Sequence, residues 1–410
     1  MLDRKQKLQR IVQIGIEVSQ IADLDFLLEK VLSEARSLVN ADAGSIYIKE
    51  GKTLKFSYAQ NETLRKQLGE DKKLIYTTFS MPITNNSIAG FVAQEKQLLN
   101  IPNAYKISNS MPFSFDSSFD QKVGYKTESM LTVPLRNNRG DCIGVLQLIN
   151  ALDENEKVIA FTEEDENLIK PFAVYGAVAI ERAQLTRTTI MRMIGMAELR
   201  DPKETGPHVN RVAAYSVEIY ENWAIKKEIS REEIDKQRDA LRMAAMLHDV
   251  GKVGISDMIL QKPGRFSEEE YEVMKSHTFI GAQLFSGARS AFDEIASEVA
   301  LNHHERWDGN GYPGYVDIQT GTPLKGYEQN GKARGKKAEE IPVFGRVVSL
   351  ADVYDALSSK RVYKEAWDED QVLETIKSEK GKQFDPDVVD SFFEILEVIR
   401  SIAQRYPDED

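Results

Sequence analysis

The chain has 410 residues, 41% of them hydrophobic, and this length exceeds what one hydrophobic core usually supports, which predicts two domains. Its formal net charge of -12 would repel a polyanion, so we expect no binding to DNA. Because no run approaches the ~18 apolar residues of a membrane helix and only one cysteine, Cys142, is present, we expect a cytoplasmic protein with no membrane partner.

The first half of the chain has the pattern of a small domain with helices around a central antiparallel sheet. Residues 8–40 have helical periodicity, and period-two alternation over 44–58 on both sides of a glycine turn predicts a hairpin. Further strands are predicted at 130–138 and 142–150, and a helix follows from about 163. This order of elements predicts an α+β domain.

Three segments of this domain carry a family resemblance, and they are SIAGFVAQEKQLLNIPNAY, FDQKVGYKTESMLTVPL and GVLQLIN. In this order they resemble the GAF domain over about 20–185, which implies a sensory domain at 1–185. GAF domains bind cyclic nucleotides, haems, bilins or no ligand. The resemblance therefore implies an unknown small-molecule ligand as a partner.

The helix that leaves this domain carries apolar and small residues at alternating spacings of three and four, as in a coiled-coil seam. The seam consists of Ile169, Phe172, Gly176, Ala179, Ala183, Thr186, Ile190, Met193 and Ala197. No Gly/Pro break precedes residue 201, which predicts a continuous helical connector able to transmit motion between domains. The seam favours a homodimer; packing of the helix on its own domain is the alternative.

From residue 207 to the end the pattern is mostly helical, which predicts an all-α second domain over 186–410. One segment, 315–339, is rich in glycine and lysine and has no periodicity. Such a composition predicts a long surface loop or lid.

All five histidines lie in this second half, at positions 208, 248, 277, 303 and 304. A helix predicted over 241–252 carries the adjacent His248 and Asp249, so the imidazole could bind one metal while the carboxylate bridges to a second. Asp352 lies within an apolar helical pattern, where a buried carboxylate requires a metal or a base. Nitrogen and oxygen donors without thiolate suit iron or manganese better than a structural zinc, and this predicts catalysis.

Five blocks of the second half, in order, resemble the HD-GYP family of phosphohydrolases over roughly 186–400, and they are HVNRV, HDVGKVGISDMIL, SHTFIGAQL, HHERWDGNGYP and ADVYDALSSKRVYK. The HD doublet is His248-Asp249 and the GYP triplet is Gly311-Tyr312-Pro313. The resemblance implies an HD-type phosphohydrolase that cleaves cyclic di-GMP to the linear dinucleotide and GMP with two or three divalent ions, iron or else manganese. It implies metal ligands at His208, His248, Asp249, His277, His303, His304 and Asp352.

The resemblance implies further site residues outside this set of seven. Glu204 would admit a third metal ion, whereas the alternative is a solvated acid at a helix start. Lys252, Arg361 and Lys364 would surround the phosphates, with a surface charge as the alternative for each. Tyr312 would contact a guanine or a phosphate, or only pack its own turn.

Two neighbouring cations would lower the pKa of a shared water and polarise the phosphodiester, which makes the bridging Asp249 and the nearby Lys252 the catalytic residues. Relative to the family, 315–339 is an insertion after the GYP triplet. Two other functions stay open. One is a non-catalytic cyclic-dinucleotide receptor, against which the complete ligand set argues, and the other is an HD phosphohydrolase for another nucleotide, against which Arg361 and Lys364 argue.

Overall fold

A computed structural model of the chain describes residues 4–68, 79–198, 200, 206–287, 290–359 and 367–407. The chain divides into two compact units, Met1–Arg187 and Thr188–Asp410, and this division lies close to the boundary expected after residue 185. None of the described helices is long and apolar enough to cross a membrane.

The first unit is an α+β domain, as predicted, built on one antiparallel sheet with the strand order β3-β2-β1-β6-β5-β4 and with β7 paired to β6. Its elements in chain order are α1 (Arg4–Gln20), α2 (Leu24–Leu38), β1 (Ala41–Glu50), β2 (Thr53–Asn61), α3 (Glu62–Leu68), β3 (Ser80–Pro82), α4 (Ile88–Glu95), β4 (Leu99–Ile101), α5 (Ser118–Val123), β5 (Met130–Arg136), β6 (Cys142–Leu152), β7 (Val158–Ile159) and α6 (Glu163–Glu198). The predicted hairpin is β1–β2, and the other two predicted strands are β5 and β6.

One face of the sheet packs against α2 and α6, because alternate strand residues are apolar. Ile46 of β1 and Leu146 of β6 are fully buried there together with Leu28 of α2 and Phe172 of α6. The helix that leaves the domain is thus part of the core of the domain.

This packing corrects the prediction of a dimer seam along the connector. The helix α6 is continuous to Glu198, as predicted, but the first part of the seam is buried in its own domain. The buried seam residues are Ile169, Phe172, Ala179 and Ala183. Large exposed apolar side chains occur on another face of the same helix, at Val174, Val178 and Leu185.

The second unit is helical, as predicted. Its helices are α7 (Gly206–Lys226), α8 (Arg231–Met246), α9 (Asp257–Leu260), α10 (Glu268–Lys275), α11 (His277–Leu284), α12 (Ala291–Asn302), α13 (Val343–Ser358), α14 (Glu369–Ser378), α15 (Pro386–Glu394) and α16 (Leu396–Arg405). Two short strands, β8 (Glu328–Gln329) and β9 (Lys332–Ala333), form a hairpin between α12 and α13. The helices α7, α8, α12 and α13 pack on one another through apolar faces, and these helices or the turns that follow them carry most of the functional side chains described below.

The end of α8 differs from the prediction. The helix ends at Met246 rather than at residue 252, and His248 and Asp249 lie in the turn that leads into a 3-10 helix at Val250–Gly254. Within this 3-10 helix the backbone approaches α11 closely, since a Cβ on Gly251 would lie 1.9 Å from the backbone oxygen of His277. This approach brings the turn next to the start of α11.

The segment 315–339, predicted as a long surface loop or lid, lies largely exposed or half-buried and is docked on the second unit by specific contacts. Val316 is buried, and the side-chain amide of Gln283 donates to the backbone oxygens of Ile318 and Gln319. Near its end, the ammonium of Lys336 donates to the side-chain oxygen of Asn302. The docking uses side-chain contacts that a search for periodicity does not detect.

Candidate metal centre

The seven side chains predicted as metal ligands lie together in the second unit, in two groups. The first group contains Asp249, His277, His303 and His304, and the second contains His208, His248 and Asp352. Within each group the donor atoms all lie within 4.8 Å of one another. The five histidines are contributed by α7, the turn after α8, α11 and the turn after α12.

The carboxylate of Asp249 stands between the two groups. Its Oδ1 lies 3.1 Å from Nε2 of His277 and 3.4 Å from Nε2 of His303. Its Oδ2 lies 3.5 Å from Nε2 of His248, which in turn lies 4.0 Å from Oδ1 of Asp352. One carboxylate oxygen therefore faces each group, as the expected bridging role requires.

Four of the histidines are oriented by hydrogen bonds at Nδ1. Nδ1 of His208 lies 2.9 Å from Oδ2 of Asp355. In the other three histidines Nδ1 faces a backbone oxygen: His248 that of Ala245 at 2.8 Å, His277 that of Met274 at 2.7 Å, and His303 that of Ala300 at 3.0 Å. Because carbonyl and carboxylate oxygens only accept, Nδ1 carries the proton. The lone pair of Nε2 is then directed into the centre, which is the usual arrangement of metal-binding histidines.

Electrostatics favours the metal-binding protonation states. Burial lowers the pKa of His303 and holds that of His304 well below its usual range, so both imidazoles are neutral at neutral pH. Burial opposes ionisation of Asp249, but positive charge beside it, the ammonium of Lys252 first, outweighs burial and holds the Asp249 pKa well below its usual range. Neutral imidazole and ionised carboxylate are the forms that bind metal ions.

The donor set fits divalent ions of the expected class. Imidazole nitrogens and carboxylate oxygens converge without a thiolate, a combination that suits iron or manganese. Two groups that share one carboxylate fit two neighbouring ions.

Two further predicted site residues lie at the edge of this centre. The ammonium of Lys252 is 2.7 Å from Oδ2 of Asp249. The ring of Tyr312 stacks on the ring of His304 with 4.8 Å between centroids, and burial raises the pKa of its hydroxyl. Both side chains are therefore next to the ligands, while their roles toward a substrate stay predictions. The predicted residues Glu204, Arg361 and Lys364 lie outside the described part of the chain.

Sequence reasoning missed Asp355, which supports the second group. Its carboxylate holds Nδ1 of His208 and accepts two hydrogen bonds from Arg211, at 2.6 and 2.9 Å. Burial opposes its ionisation, but His208 and Arg211 outweigh it and lower its pKa. The side chain of Asp355 is 1% exposed and that of Asp352 18% exposed, so the argument from a costly buried carboxylate applied more strongly to Asp355.

Glu305 is a second missed residue, directly after His304. It is 2% exposed, and its carboxylate accepts hydrogen bonds from the backbone N–H of Gly314 at 2.6 Å and of Lys336 at 3.1 Å. It therefore ties the GYP turn to the end of the inserted segment. Just before this turn, the guanidinium of Arg306 pairs with the carboxylate of Asp308 at 3.0 Å.

Comparison with known families identifies both units. A sequence profile described as GAF domain matches residues 23–180, and one described as HD domain matches residues 205–357. The chain therefore carries a GAF domain followed by an HD domain. Among solved structures, a GAF domain of an Acinetobacter phosphoenolpyruvate-protein phosphotransferase aligns with a TM-score of 0.34 and 18% identity, over 46% of this chain and 99% of that one.

Several curated relatives match about half of the chain. A Vibrio cholerae protein named cyclic di-GMP phosphodiesterase is 40% identical over 224 residues, which are 53% of this chain and 41% of that protein. A Thermotoga maritima protein of the same name is 37% identical over 215 residues, which are 52% of this chain and 50% of that protein. The 3'3'-cGAMP-specific phosphodiesterase 2 of Vibrio cholerae is 30% identical over 229 residues, which are 56% of this chain and 38% of that protein. The chain thus spans half or less of the length of these relatives.

Proposed function

We propose that this chain of a GAF and an HD domain is a metal-dependent phosphodiesterase that hydrolyses cyclic di-GMP to the linear dinucleotide and then to GMP. One observation carries the proposal, namely that Asp249 stands with one oxygen toward each of two groups of metal-binding side chains. The names of the relatives support the substrate class.

The proposed reaction needs a centre with two ions. His208, His248 and Asp352 would hold one ion, His277, His303 and His304 would hold the other, and Asp249 lies between the two groups. Such ions would supply Lewis-acid chemistry that makes water a nucleophile at neutral pH and polarises the phosphodiester. Glu204 stays a proposed ligand for a third ion.

The cationic side chains of the chain would bind the phosphates and offset the negative charge that develops on them. Lys252 holds its ammonium at the edge of the centre, 2.7 Å from Oδ2 of Asp249. Arg361 and Lys364 are proposed for the same role. Tyr312, stacked on His304, offers an aromatic ring and a hydroxyl beside the reacting group.

The direct test is product analysis on the full chain, purified without oxygen and supplied with Fe²⁺ or Mn²⁺. We expect chromatography to show the linear dinucleotide and GMP from cyclic di-GMP, and slower turnover of 3'3'-cGAMP. Tight binding of cyclic di-GMP without any product, at full metal content, would contradict the proposal and favour a receptor. Faster turnover of 3'3'-cGAMP than of cyclic di-GMP would show that 3'3'-cGAMP is the preferred substrate.

We also propose that the GAF domain, with a small-molecule ligand, regulates this activity through α6. The support lies just after the end of that helix, at Arg200. Its guanidinium donates to the backbone oxygens of Val253 and Ile255, the latter at 2.7 Å, and to the carboxylate of Asp257 at 2.7 and 3.0 Å. These partners belong to the 3-10 helix that carries Lys252 and to the residues after it. A displacement of α6 would therefore reach the turn that holds Lys252.

A homodimer remains part of the proposal, with a different surface from the predicted seam. Val178 and Leu185 lie on one face of α6 with 41% and 64% exposure, and Val12 and Ile16 of α1 are also exposed. The two helices are neighbours, since a Cβ on Gly15 of α1 would contact the ring of Tyr175 on α6. A second copy presents the same apolar face under twofold symmetry, so the two faces would cover each other.

A further inference from the structure

The inserted segment 315–339 contacts the HD domain through its hairpin. The ammonium of Lys332, on β9, lies 2.6 Å from Oε1 of Glu272 on α10. This contact attaches the hairpin to the helix that precedes the metal-binding His277.

The same carboxylate oxygen of Glu272 also holds Lys275. The ammonium of Lys275 lies 3.1 Å from it, one turn later at the end of α10. That ammonium lies 4.8 Å from the ring centre of Tyr271 and 5.6 Å from the ring centre of Tyr312. A cation over two aromatic faces is favourable, because the ring quadrupoles attract it.

This cation stands beside the first group of metal-binding residues. The ring of Tyr312 stacks on His304 at 4.8 Å, and His277 follows Lys275 by two residues. The side chain of Lys275 remains 23% exposed, so an anionic ligand can reach it. Tyr271 is 43% exposed, so part of its surface is open to contact.

A cyclic dinucleotide is larger than a metal centre of two ions. When one phosphodiester is held at the metals, the other phosphate and its purine must contact side chains beyond them. A phosphate requires a cation, and a purine stacks on an aromatic ring. Lys275 and Tyr271 offer these two chemistries next to each other, at the edge of the first group.

We propose that Lys275 and Tyr271 form a subsite for the phosphate that is not being cleaved and for its purine. Glu272 and Lys332 are positioning residues that act through Lys275, and they make the inserted segment part of the wall of the substrate site. This subsite rests on the proposed function. It assigns the hairpin of the inserted segment a role in substrate binding.

The test compares two substrates on the full chain loaded with Mn²⁺. Bis(p-nitrophenyl) phosphate is a small diester that requires only the metals, whereas cyclic di-GMP also reaches the subsite. For Lys275→Met we expect the KM for cyclic di-GMP to rise about tenfold at nearly unchanged kcat, because a contact outside the reacting bonds is lost. The effect on kcat/KM for bis(p-nitrophenyl) phosphate should be several-fold smaller than the effect for cyclic di-GMP, and Lys275→Arg should restore most of the affinity for cyclic di-GMP.

The matched control is Lys262→Met, because Lys262 is also ion-paired to α10, through Glu270 at 2.6 Å. This variant should leave both substrates unaffected. Glu272→Gln and Lys332→Met should each raise the KM for cyclic di-GMP by about threefold, and the double variant no further than the larger single effect, because both act through Lys275. Tyr271→Leu provides a second variant in case Lys275→Met does not fold.

An unchanged KM for cyclic di-GMP in folded Lys275→Met and Tyr271→Leu, at full metal content, would overturn the subsite and leave the proposed function intact. If the wild-type chain cleaves only bis(p-nitrophenyl) phosphate, the proposed function fails. Equilibrium dialysis with cyclic di-GMP then tests the subsite separately. An approximately tenfold rise in Kd for Lys275→Met would support it, and an unchanged Kd would overturn it.

Discussion

At the scale of single residues, the centre depends on groups that orient the ligands as well as on the ligands themselves. The seven proposed ligands followed from the histidines, the acidic residues beside them and the family resemblance. Asp355 did not, because its role depends on its distance to His208, and the two residues are 147 positions apart. Lys336 was likewise missed, because it lies in a segment without periodicity and its partner Asn302 precedes the GYP turn.

Asp355→Asn tests the support of the second group. The amide cannot hold both His208 and Arg211 as an ionised carboxylate does, so we expect a 10–100-fold loss of affinity for one metal ion and a comparable loss of turnover. Elemental analysis after dialysis measures the metal. The matched control is Asp385→Asn, another buried carboxylate paired with an arginine, Arg346, away from the centre. That variant should lose stability and keep its metal, and equal metal loss in both variants would contradict the role of Asp355.

Glu298 predicts a dependence of stability on pH. Burial raises the pKa of this carboxyl from an ordinary value of 4.5 to about 7. The folded chain therefore binds the proton more tightly than the unfolded chain. The contribution of Glu298 to stability is fully present below about pH 4.5 and is lost as the pH rises to about 7.

The measurement is Tm between pH 5 and 8 for the wild type and for Glu298→Gln. We expect the variant to gain Tm relative to the wild type as the pH rises, because a neutral amide has no charge to bury. Glu294→Gln on the exposed side of α12 is the control. If the difference in Tm between Glu298→Gln and the wild type does not vary with pH, the pKa of the Glu298 carboxyl is not raised.

At the scale of elements, predictions succeeded where a local pattern decides the structure and failed where a distant contact decides it. The alternation that predicted β1–β2 and β5–β6 is a property of the strands themselves. The close contact between Gly251 and α11 joins two elements that are separate in the sequence, so the local pattern around residue 250 does not report that contact. The contacts that dock 315–339 on the second unit, such as the hydrogen bond from Gln283 to Ile318, likewise join residues that are distant in the sequence.

The contact of Arg200 is the testable feature of the connector. Arg200→Gln removes the ion pair with Asp257 and the hydrogen bonds to the turn before it, so we expect kcat to fall several-fold while the metal content stays unchanged. Asp257→Asn should reproduce part of the effect. Arg192→Gln, an exposed arginine on α6, is the control. Wild-type kcat in Arg200→Gln would show that the end of α6 does not act on this turn.

At the scale of the whole molecule, the sequence revealed a heptad pattern but not what it packs against. A buried helix face inside a domain and a dimer seam share the same spacing, so the seam from Ile169 to Ala183 was assigned to the wrong partner. The exposed face with Val178 and Leu185 became visible only when the sheet was in place.

Leu185→Glu tests the homodimer. A charge in the centre of an apolar contact should weaken the dimer at least tenfold, because the carboxylate would have to be buried unpaired. Sedimentation over a range of concentrations measures the change. Met258→Glu, at an apolar side chain with 86% exposure in the HD domain, is the control and should sediment as the wild type does. A monomeric wild type, or a dimer unaffected by Leu185→Glu, would contradict this surface.

The central claim is that one carboxylate, Asp249, joins two metal sites that hydrolyse a cyclic dinucleotide, and metal content measured together with turnover tests it most directly. The full chain is purified without oxygen as wild type and as Asp249→Ala, and each sample is divided between elemental analysis and product chromatography with cyclic di-GMP. The account predicts two or three ions per wild-type chain, the loss of at least one ion in the variant and the loss of nearly all product. A folded Asp249→Ala chain with the metal content and turnover of the wild type would contradict it.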